Sequence, residues 1–476
     1  MSEPKKFIRR KRELAIEKVT VTGIADKGKG VGRDEEGKVY FVEHVVPGDV
    51  VDVRIYKKKD SYFEGKPIHF HKYSDDRRAP FCEHFGICGG CNFQNMTYEA
   101  QLRSKEEVVT NSILRIGKVA VGEFLPIIPA DFTEYYRNKL EFTFSNKRWL
   151  TPEEMTTDMS NLENVLGFHR PGAFDKIVHI NHCYLQGDPC NELRNTIHDI
   201  GIEQNLTFFD LKSQKGFLRN VMIRVTTLGE TFAIVSFHHE DEEKRKTFLD
   251  EVLKRVPSVT TLLYCINPKA NDFILDLNIV TYFGKGYIEE LLGDVRFRIG
   301  PRSFFQTNTR QAVKLFDVVT EFAAFEGTEN VYDLYTGLGS IALYVAKKCK
   351  HVVGIEEIEA AIQDAKENAL RNDLNNTTFY AGDVKNILTQ EFAAQHGKPD
   401  ILITDPPRAG MHESVTRMLI QLAAPKLIYV SCNPATQARD LQILSEIYDV
   451  KKVQPVDMFP HTYHIESVAL LELKSK

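Results

Sequence analysis

The first 75 residues contain short stretches in which apolar and polar positions largely alternate. Residues 16–22 show the pattern of a strand with one buried face. Further stretches and turn signals follow: strand-like segments at 39–42, 49–56 and 62–68, and turns at Gly23, 27–30 and 34–37. Four or five short strands in about 55 residues predict a small β-barrel of the OB type over residues 16–75.

From about residue 300 the pattern changes to short apolar runs that alternate with helical segments. Five runs have the length and composition of buried parallel strands. They are residues 331–334, 351–355, 378–381, 401–404 and 427–430. This alternation predicts a doubly wound α/β domain over residues 299–476, in which ligands bind at the carboxyl ends of the strands.

The region between these two is less regular. Residues 97–117 have apolar side chains at helical spacing and end at Gly117, which predicts a helix. Strands are predicted at 220–227 and 231–237, so residues 76–298 are expected to form a mixed α+β domain. A basic tail, residues 1–15, precedes the barrel.

Composition and the distribution of charge indicate what kind of partner the protein binds. The 476 residues suggest about three domains, and 42% hydrophobic with 27% charged residues is ordinary for a globular protein. The net charge is −5, yet residues 1–80 hold 19 lysines and arginines against 14 aspartates and glutamates. Basic runs at 5–6, 9–12 and 57–59, next to a small β module, indicate a polyanionic partner.

The chain has no apolar run near the ~18 residues that a membrane helix needs. Its N-terminus has basic residues but lacks the apolar core of a secretory signal. We therefore expect a cytoplasmic protein without a membrane segment, in which thiols stay reduced. Its eight cysteines are then expected to be ligands, nucleophiles or core residues.

A glycine-rich turn follows the first strand of the C-terminal domain. Gly337 and Gly339 let a ligand approach the backbone and the start of the next helix. The second strand ends in Glu356, 19 residues after Gly337, where a carboxylate can accept both hydroxyls of a ribose. The turn also fits the G-x-G-x-x-A pattern, so it leaves a nicotinamide enzyme as an alternative.

Residues after the later strands favour a methyl donor over a nicotinamide. Asp383 follows the third strand and could bind an adenine amine. Asp405-Pro406-Pro407-Arg408 follows the fourth strand and resembles the acceptor loop of class I methyltransferases that use S-adenosylmethionine. Such loops usually carry an aromatic residue in the fourth position when the acceptor is an exocyclic nitrogen, and here that position is Arg408.

Cys432 and Glu466 point to methylation of a pyrimidine carbon. Cys432 comes directly after the fifth strand, and Glu466 begins a later one. A thiolate that adds to C6 of uracil makes C5 nucleophilic, and a base must then remove the C5 proton. We expect these two roles for Cys432 and Glu466, with Asp405 and Arg408 holding the uracil edge.

Several motifs together are similar to those of the RNA 5-methyluridine methyltransferases. They are residues 303–308, 405–410, 431–434 and 461–468, while residues 23–32 and 46–50 resemble a TRAM domain, an RNA-binding module. The resemblance implies that Cys432 is the nucleophile and Glu466 the base. It implies that the S-adenosylmethionine contacts are Gln306, Tyr335, Glu356, Asp383 and Asp405.

Three cysteines cluster in the spacing Cys82-x5-Cys88-Gly-Gly-Cys91, and a fourth thiolate has to come from Cys183 or Cys190. The residues alone fit an iron–sulfur cluster or a structural zinc. The spacing differs from C-x3-C-x2-C, which disfavours radical S-adenosylmethionine chemistry. The family resemblance implies a [4Fe–4S] cluster held by Cys82, Cys88, Cys91 and Cys183, with a structural or RNA-positioning role.

The resulting prediction is a monomeric enzyme that methylates C5 of a uridine in RNA. The resemblance is to the branch with a TRAM barrel and a cluster, which implies 23S ribosomal RNA as the substrate. Three alternatives remain: a transfer RNA uracil-C5 methyltransferase, a base-amine N-methyltransferase and a non-catalytic RNA-binding protein.

Overall fold

The computed structural model describes residues 15–34, 37–150 and 163–475. The predicted basic tail, except for residue 15, lies outside these residues, and so do residues 151–162. The chain forms two compact units. The first holds residues up to 81, 91–104 and 461–463, and the second holds 82–90, 105–460 and the remainder from 464. Within the described ranges no helix has both the length and the apolar character that a membrane crossing requires.

The first unit contains the predicted barrel. Its strands are β1 (Ala15–Ile24), β2 (Gly30–Arg33), β3 (Val39–Val42), β4 (Val50–Lys58) and β5 (Tyr62–Lys72), closed in the order β1-β2-β3-β5-β4. The alternating apolar residues fill its interior, among them Val19, Val21, Val42, Val51 and Val53. The turn predicted at Gly23 is wrong. This residue lies inside β1, where a register shift between Val21 and Gly23 bends the strand without ending it.

The predicted helix is present as α1 (Tyr98–Asn111), which continues through a π-helical turn at Ser112–Gly117. It ends at Gly117 as predicted. A Cβ on this glycine would lie 2.7 Å from the carbonyl oxygen of Ala438, so only glycine fits this close approach. The strand β6 (Val121–Phe124) follows.

The second unit begins with a mixed α+β region whose topology the sequence did not predict. Its sheet has the order β13-β12-β11-β10-β7-β8-β9, in which only β11 and β12 pair in parallel. The strands are β7 (Lys139–Ser145), β8 (Val165–Arg170), β9 (Ala173–His179), β10 (Leu218–Val225), β11 (Thr231–Phe237), β12 (Thr261–Ile266) and β13 (Ile279–Phe283). Helices α2 (Cys190–Glu203) and α3 (Glu242–Arg255) and a hairpin of β14 (Ile288–Leu292) and β15 (Val295–Ile299) complete it.

The C-terminal region is the predicted doubly wound α/β fold. Its strands are β16 (Asn330–Leu334), β17 (His351–Glu356), β18 (Thr377–Ala381), β19 (Ile401–Thr404), β20 (Lys426–Ser431), β21 (Tyr448–Val456) and β22 (Glu466–Leu473). Its helices are α4 (Thr309–Ala323), α5 (Ser340–Ala346), α6 (Glu359–Arg371), α7 (Val384–Ile387), α8 (Gln390–His396), α9 (Glu413–Leu422) and α10 (Pro434–Leu444). The five strands from β16 to β20 are parallel, which confirms the predicted doubly wound sheet.

The complete sheet has the order β18-β17-β16-β19-β20-β22-β21-β6. Strand β22 runs antiparallel to β20, so its first residue lies at the edge where the parallel strands end. Strand β6, from the region predicted to be central, pairs in parallel with β21 at one side of this sheet. The pairing of β6 with β21 could not be predicted, because it joins segments that are far apart in the chain.

Candidate active site

Strand pairing places the predicted nucleophile and base next to each other. Ser431, the last residue of β20, pairs with Ser467 of β22, and Cys432 and Glu466 are the two residues that adjoin this last pair. The buried Gln437 amide donates to one backbone carbonyl of each strand, at 3.0 and 3.2 Å. The relative position of the two side chains therefore depends on the sheet and not on a flexible loop.

The Asp405-Pro-Pro-Arg408 segment leaves the neighbouring strand β19 at the same edge. Asn433, the N-cap of α10, donates from its amide to the carbonyl oxygen of Arg408 at 2.9 Å. Gly410 closes the segment with a φ of +76°, and a Cβ there would lie 2.8 Å from the Asp440 carboxylate. The loop is thus fastened to α10, the same helix that follows Cys432.

Arg408 is a cation that acts electrostatically on both Cys432 and Glu466. Its guanidinium donates to Nδ1 of His464 at 3.3 Å. Burial, with contributions from Arg408, Arg137 and Lys105, lowers the pKa of His464 to about 4, so the imidazole is neutral and can accept. Among the described residues no carboxylate lies within ion-pair distance of Arg408, so its charge acts on the acids around it.

The acids at this edge raise one another's pKa values. Burial, together with Glu466 and Asp405, raises the pKa of Cys432 to about 11, and Arg408 opposes this shift. Glu466 is 5% exposed, and burial and Asp405 raise its pKa well above the ordinary value. Burial and Asp333 raise the pKa of Asp405 to about 7. A cationic ligand at this edge would lower all three pKa values and be stabilised in return.

A buried ion pair holds the segment that leads into Glu466. The ammonium of Lys105 lies 2.6 Å from the Asp457 carboxylate, and both side chains are at most 2% exposed. Lys105 also donates to the carbonyl oxygen of Phe459, and the Tyr136 hydroxyl donates to that of Pro460, both at 3.0 Å. These contacts anchor the backbone several residues before β22 begins.

The glycine-rich turn and Glu356 form the adjoining part of the edge. Tyr335 has a φ of +64° and Gly337 a φ of +57°, so the chain turns sharply after β16. The backbone N–H of Gly337 donates to one oxygen of Glu356 and that of Ile358 donates to the other, both at 3.1 Å. These bonds fix the carboxylate at the end of β17, where it was predicted to meet a ribose.

Tyr335, Glu356 and Asp383 lie at the ends of three neighbouring strands, close enough for the two carboxylates to affect the pKa of the tyrosine. Burial raises the pKa of Tyr335 to about 12, and Asp383 and Glu356 contribute to the rise. Asp383 caps α7 and pairs with Lys385 at 2.8 Å, which lowers its pKa. Gln306 is half-buried on the segment before α4, and its carbonyl oxygen accepts from the Asn138 amide at 2.9 Å.

Three candidate contact residues escaped the sequence analysis. Ile358 is 60% exposed two positions after Glu356, and Phe304 is 72% exposed two positions before Gln306. Large apolar side chains so exposed, beside predicted ligand residues, offer faces for a planar base. Arg137 lies 5.2 Å from the centroid of the Phe459 ring and lowers the pKa of His464. Only its place in the fold identifies Arg137.

The cysteine loop has a different organisation from the sheet edge. Cys82 and Cys88 belong to the second unit and Cys91 to the first. Burial raises the pKa of Cys82, with a contribution from Cys88, and burial raises that of Cys183, with a contribution from Cys82. Cys190 is buried and donates to Gln186 at 3.1 Å. Across residues 15–34, 37–150 and 163–475, no three histidine, cysteine or acidic side chains are gathered closely enough to hold a metal ion.

Comparison with known families gives two matches. Residues 280–474 match the profile of the tRNA (uracil-5-)-methyltransferases, and residues 10–68 match that of the TRAM domain. The first match covers the catalytic fold described above. The second covers the five-stranded barrel.

Whole-length relatives agree with these matches. An uncharacterized RNA methyltransferase of Bacteroides thetaiotaomicron is 48% identical, over 95% of this chain and 100% of its own. One from Porphyromonas gingivalis is also 48% identical, over 95% and 98%. Among solved structures, the Pyrococcus abyssi tRNA (uracil-54, C5)-methyltransferase in complex with S-adenosyl-L-homocysteine is similar with a TM-score of 0.74. It is 26% identical, and the match covers 96% of this chain and 100% of that one.

Proposed function

The chain belongs to the RNA uracil-5 methyltransferases, enzymes that use S-adenosylmethionine, and on this basis we propose a covalent mechanism that depends on Cys432 and Glu466. The reaction is methylation of C5 of a specific uridine in RNA. One observation carries the assignment of roles. Cys432 directly follows Ser431, whose partner Ser467 in the pairing of β20 with β22 directly follows Glu466, at the edge where Asp405 and Arg408 also lie.

The proposed reaction has three steps. The Cys432 thiolate forms a bond to C6, and the ring electrons move to C5 and the C4 oxygen, giving an enolate. C5 then forms a bond to the methyl carbon of S-adenosylmethionine, whose bond to sulfur breaks with its electron pair going to sulfur, so that S-adenosylhomocysteine is left. Glu466 removes the remaining proton from C5, the C5–C6 double bond re-forms, and the thiolate leaves. Arg408 stabilises the enolate oxygen, and Asp405 accepts from the N–H of the ring.

The acidic edge fits the proposed cofactor. Glu356 would accept the ribose hydroxyls, since two backbone N–H groups already orient its carboxylate. Asp383 would accept the adenine amine, and Tyr335, Gln306 and Asp405 would complete the set. Because the acids near Cys432 hold its pKa high, a sulfonium cation suits the site electrostatically better than a neutral ligand does.

For the RNA substrate we propose 23S ribosomal RNA, with transfer RNA as the second candidate. The ribosomal assignment comes from the resemblance to the branch with a barrel and a cluster. A specific observation favours the second candidate: the Pyrococcus abyssi transfer RNA enzyme aligns with 96% of this chain, which is too much to leave out the barrel. The presence of the barrel therefore does not separate the two candidate substrates.

We also propose that Cys82, Cys88, Cys91 and Cys183 hold a [4Fe–4S] cluster with a structural role. Four thiolates are the ligands that such clusters use. The proposal rests on this set of thiols and on the family resemblance, since the described residues do not gather three of them closely enough to hold a metal ion. Iron and acid-labile sulfide should be lost in Cys88→Ala and kept in Cys190→Ala. Zinc in place of iron in the wild-type protein would contradict the proposal.

Tritium release tests the proposed reaction. Unmodified ribosomal and transfer RNA fragments carrying [5-³H]uridine would be incubated with the protein and S-adenosylmethionine. Replacement of the C5 hydrogen should release tritium from one of the two classes of RNA, which also identifies the substrate. Methyl transfer to RNA without tritium release would show that the acceptor is not C5.

A further inference from the structure

A cavity of about 340 Å³ in the second unit adjoins the segment that carries Gln306. Its walls come from three stretches of the chain: 130–138, 225–227 and 308–311. None of the groups assigned to the proposed chemistry or to S-adenosylmethionine lines it. The cavity is therefore separate from the sheet edge described above. Two of its lining residues also interact with residues of that edge: Asn138 donates to Gln306, and Arg137 lowers the pKa of His464.

Aromatic rings form one side of the cavity. Phe132 is 52% exposed and Tyr135 is 46% exposed, and both line it. The Tyr135 hydroxyl contacts the His182 ring at 3.0 Å, which fixes the orientation of the tyrosine. The backbone of Tyr135 has a φ of +54°, a conformation that is unfavourable for a large side chain and is often kept at functional sites. Two exposed rings on a concave surface offer a place for a planar group.

Positive charge forms another side. The Arg310 guanidinium lies 4.3 Å from the centroid of the Phe132 ring. Among the described residues, neither Arg310 nor Arg137 has a carboxylate within ion-pair distance. Arg310 stands in the first turn of the fifteen-residue helix α4, whose N-terminal N–H groups add partial positive charge. Two carboxylates also line the cavity: Asp131, which pairs with Lys314, and Glu134. The cavity thus combines aromatic faces and two guanidinium groups with these two acids.

A buried amide lies at the base of the cavity. Asn138 is 7% exposed, and its Nδ2 donates to the carbonyl oxygen of Gln306 and to Oγ1 of Thr309, both at 2.9 Å. Thr309 in turn donates to Glu290, so the amide nitrogen has to face these acceptors. The Asn138 Oδ1 has no hydrogen-bond partner within the described part of the chain. A buried acceptor without a donor is unfavourable, and a ligand N–H would satisfy it.

We propose that this cavity binds a second nucleotide of the RNA substrate, one that flanks the target uridine. The base lies against the Phe132 and Tyr135 rings, Arg310 and the start of α4 contact the phosphate, and Asn138 accepts from a base N–H. This combination of stacking and backbone charge is how proteins hold unpaired RNA bases. The inference rests on the proposed function. It adds that RNA occupancy of the cavity positions the Gln306 segment through Asn138.

An abasic scan tests the proposal. The probe is the shortest unmodified RNA fragment from which the full-length protein releases tritium, with an abasic nucleotide placed at each position around the target in turn. At one flanking position the wild-type KM for RNA should rise about 5- to 100-fold, the range expected for loss of one base–aromatic stack. Phe132→Ala should raise the KM similarly on intact RNA, with little change in kcat, and abasic substitution at that position should then add nothing. Phe283→Ala, an aromatic residue 48% exposed on β13, is the matched control and should leave the KM unchanged.

A second variant tests the phosphate contact. Arg310→Gln should reduce the slope of log K against log salt by about 1, as expected for the loss of one phosphate contact. The cavity proposal would be overturned by an unchanged KM in Phe132→Ala, or by an abasic effect on KM that is as large in that variant as in the wild-type protein. Neither result would affect the proposed reaction, which wild-type tritium release supports independently. Absence of tritium release by the wild-type protein on every RNA would overturn the proposed reaction itself, and the cavity proposal with it.

Discussion

The carboxyl edge of the sheet and the cysteine loop both carry reactive side chains, but different features of the fold position them. At the sheet edge, Cys432 and Glu466 owe their positions to the pairing of β20 with β22. In the loop, Cys82 and Cys88 belong to one compact unit and Cys91 to the other. Strand register places side chains without a ligand, whereas a loop of cysteines separated by glycines depends on a bound group to define its geometry. The first site is therefore expected to tolerate the loss of the second.

The largest effect should come from the nucleophile. Cys432→Ala removes the group that activates C5, so tritium release should fall on the order of 10⁴-fold or more while the protein stays folded. Cys88→Ala is the matched control from the loop. If the cluster has only a structural role, this variant should retain methyl transfer at a temperature where it remains folded. Equal loss of activity in both variants would remove the distinction between the two regions.

The buried ion pair beneath the sheet edge should make the next largest contribution. Lys105→Met removes the buried ammonium from the Asp457 carboxylate, and breaking such a pair typically costs about 3–5 kcal/mol in the free energy of unfolding. Arg103→Ala, on the same helix, breaks an exposed pair with Asp76 and should cost at most about 1 kcal/mol. Urea denaturation of the two variants measures the difference. Equal destabilisation would show that the segment before β22 does not depend on the buried pair.

The Asp-Pro-Pro-Arg loop tests whether the edge is as rigid as its hydrogen bonds indicate. Gly410→Ala introduces a Cβ 2.8 Å from the Asp440 carboxylate at a φ of +76°, and the resulting shift of Arg408 should lower kcat by about 10- to 100-fold. Gly229→Ala has a similar φ of +82° but open space around the Cβ position, so it should leave kcat unchanged. Steady-state kinetics on the same RNA compares the two variants.

The smallest effect concerns the charge around the thiol. Since Arg408 lowers the pKa of Cys432, Arg408→Gln should raise that pKa above about 11 and reduce the fraction of thiolate at pH 9. Iodoacetamide should then alkylate Cys432 about 2- to 10-fold more slowly. Arg417→Gln, which breaks a surface pair with Glu446, should leave the alkylation rate unchanged. Faster alkylation of the Arg408 variant would contradict the electrostatic account.

The two regions also differ in how far the sequence predicts them. Runs such as 401–404 are apolar throughout because both faces of a central parallel strand are buried, so the strands and the residues at their ends were identified correctly. The barrel strands alternate because only one of their faces is buried, and this alternation predicts them. Asp383 and Glu356 could be placed at one edge since the carboxyl ends of parallel strands meet there.

Contacts between distant segments could not be predicted. Lys105 and Asp457 are 352 residues apart, and a buried lysine has no local sequence signal. Strand β6 lies over 300 residues before its partner β21. Arg137 and Asn138 gain their meaning only from the loop and the helix that fold against them. The cysteine ligand set remains a prediction, because spacing in a loop shows which residues are available and not which ones come together.

The most direct test of the central claim separates the two proposed catalytic roles by trapping. In Glu466→Gln the thiolate can add and the methyl group can be transferred, but the C5 proton cannot be removed. Mass spectrometry of this variant after incubation with RNA and S-adenosylmethionine should show a methylated RNA fragment covalently bound to the peptide containing Cys432. The double variant with Cys432→Ala should show none. Release of methylated RNA by Glu466→Gln at the wild-type rate, without an adduct, would contradict the assignment of Glu466 as the base.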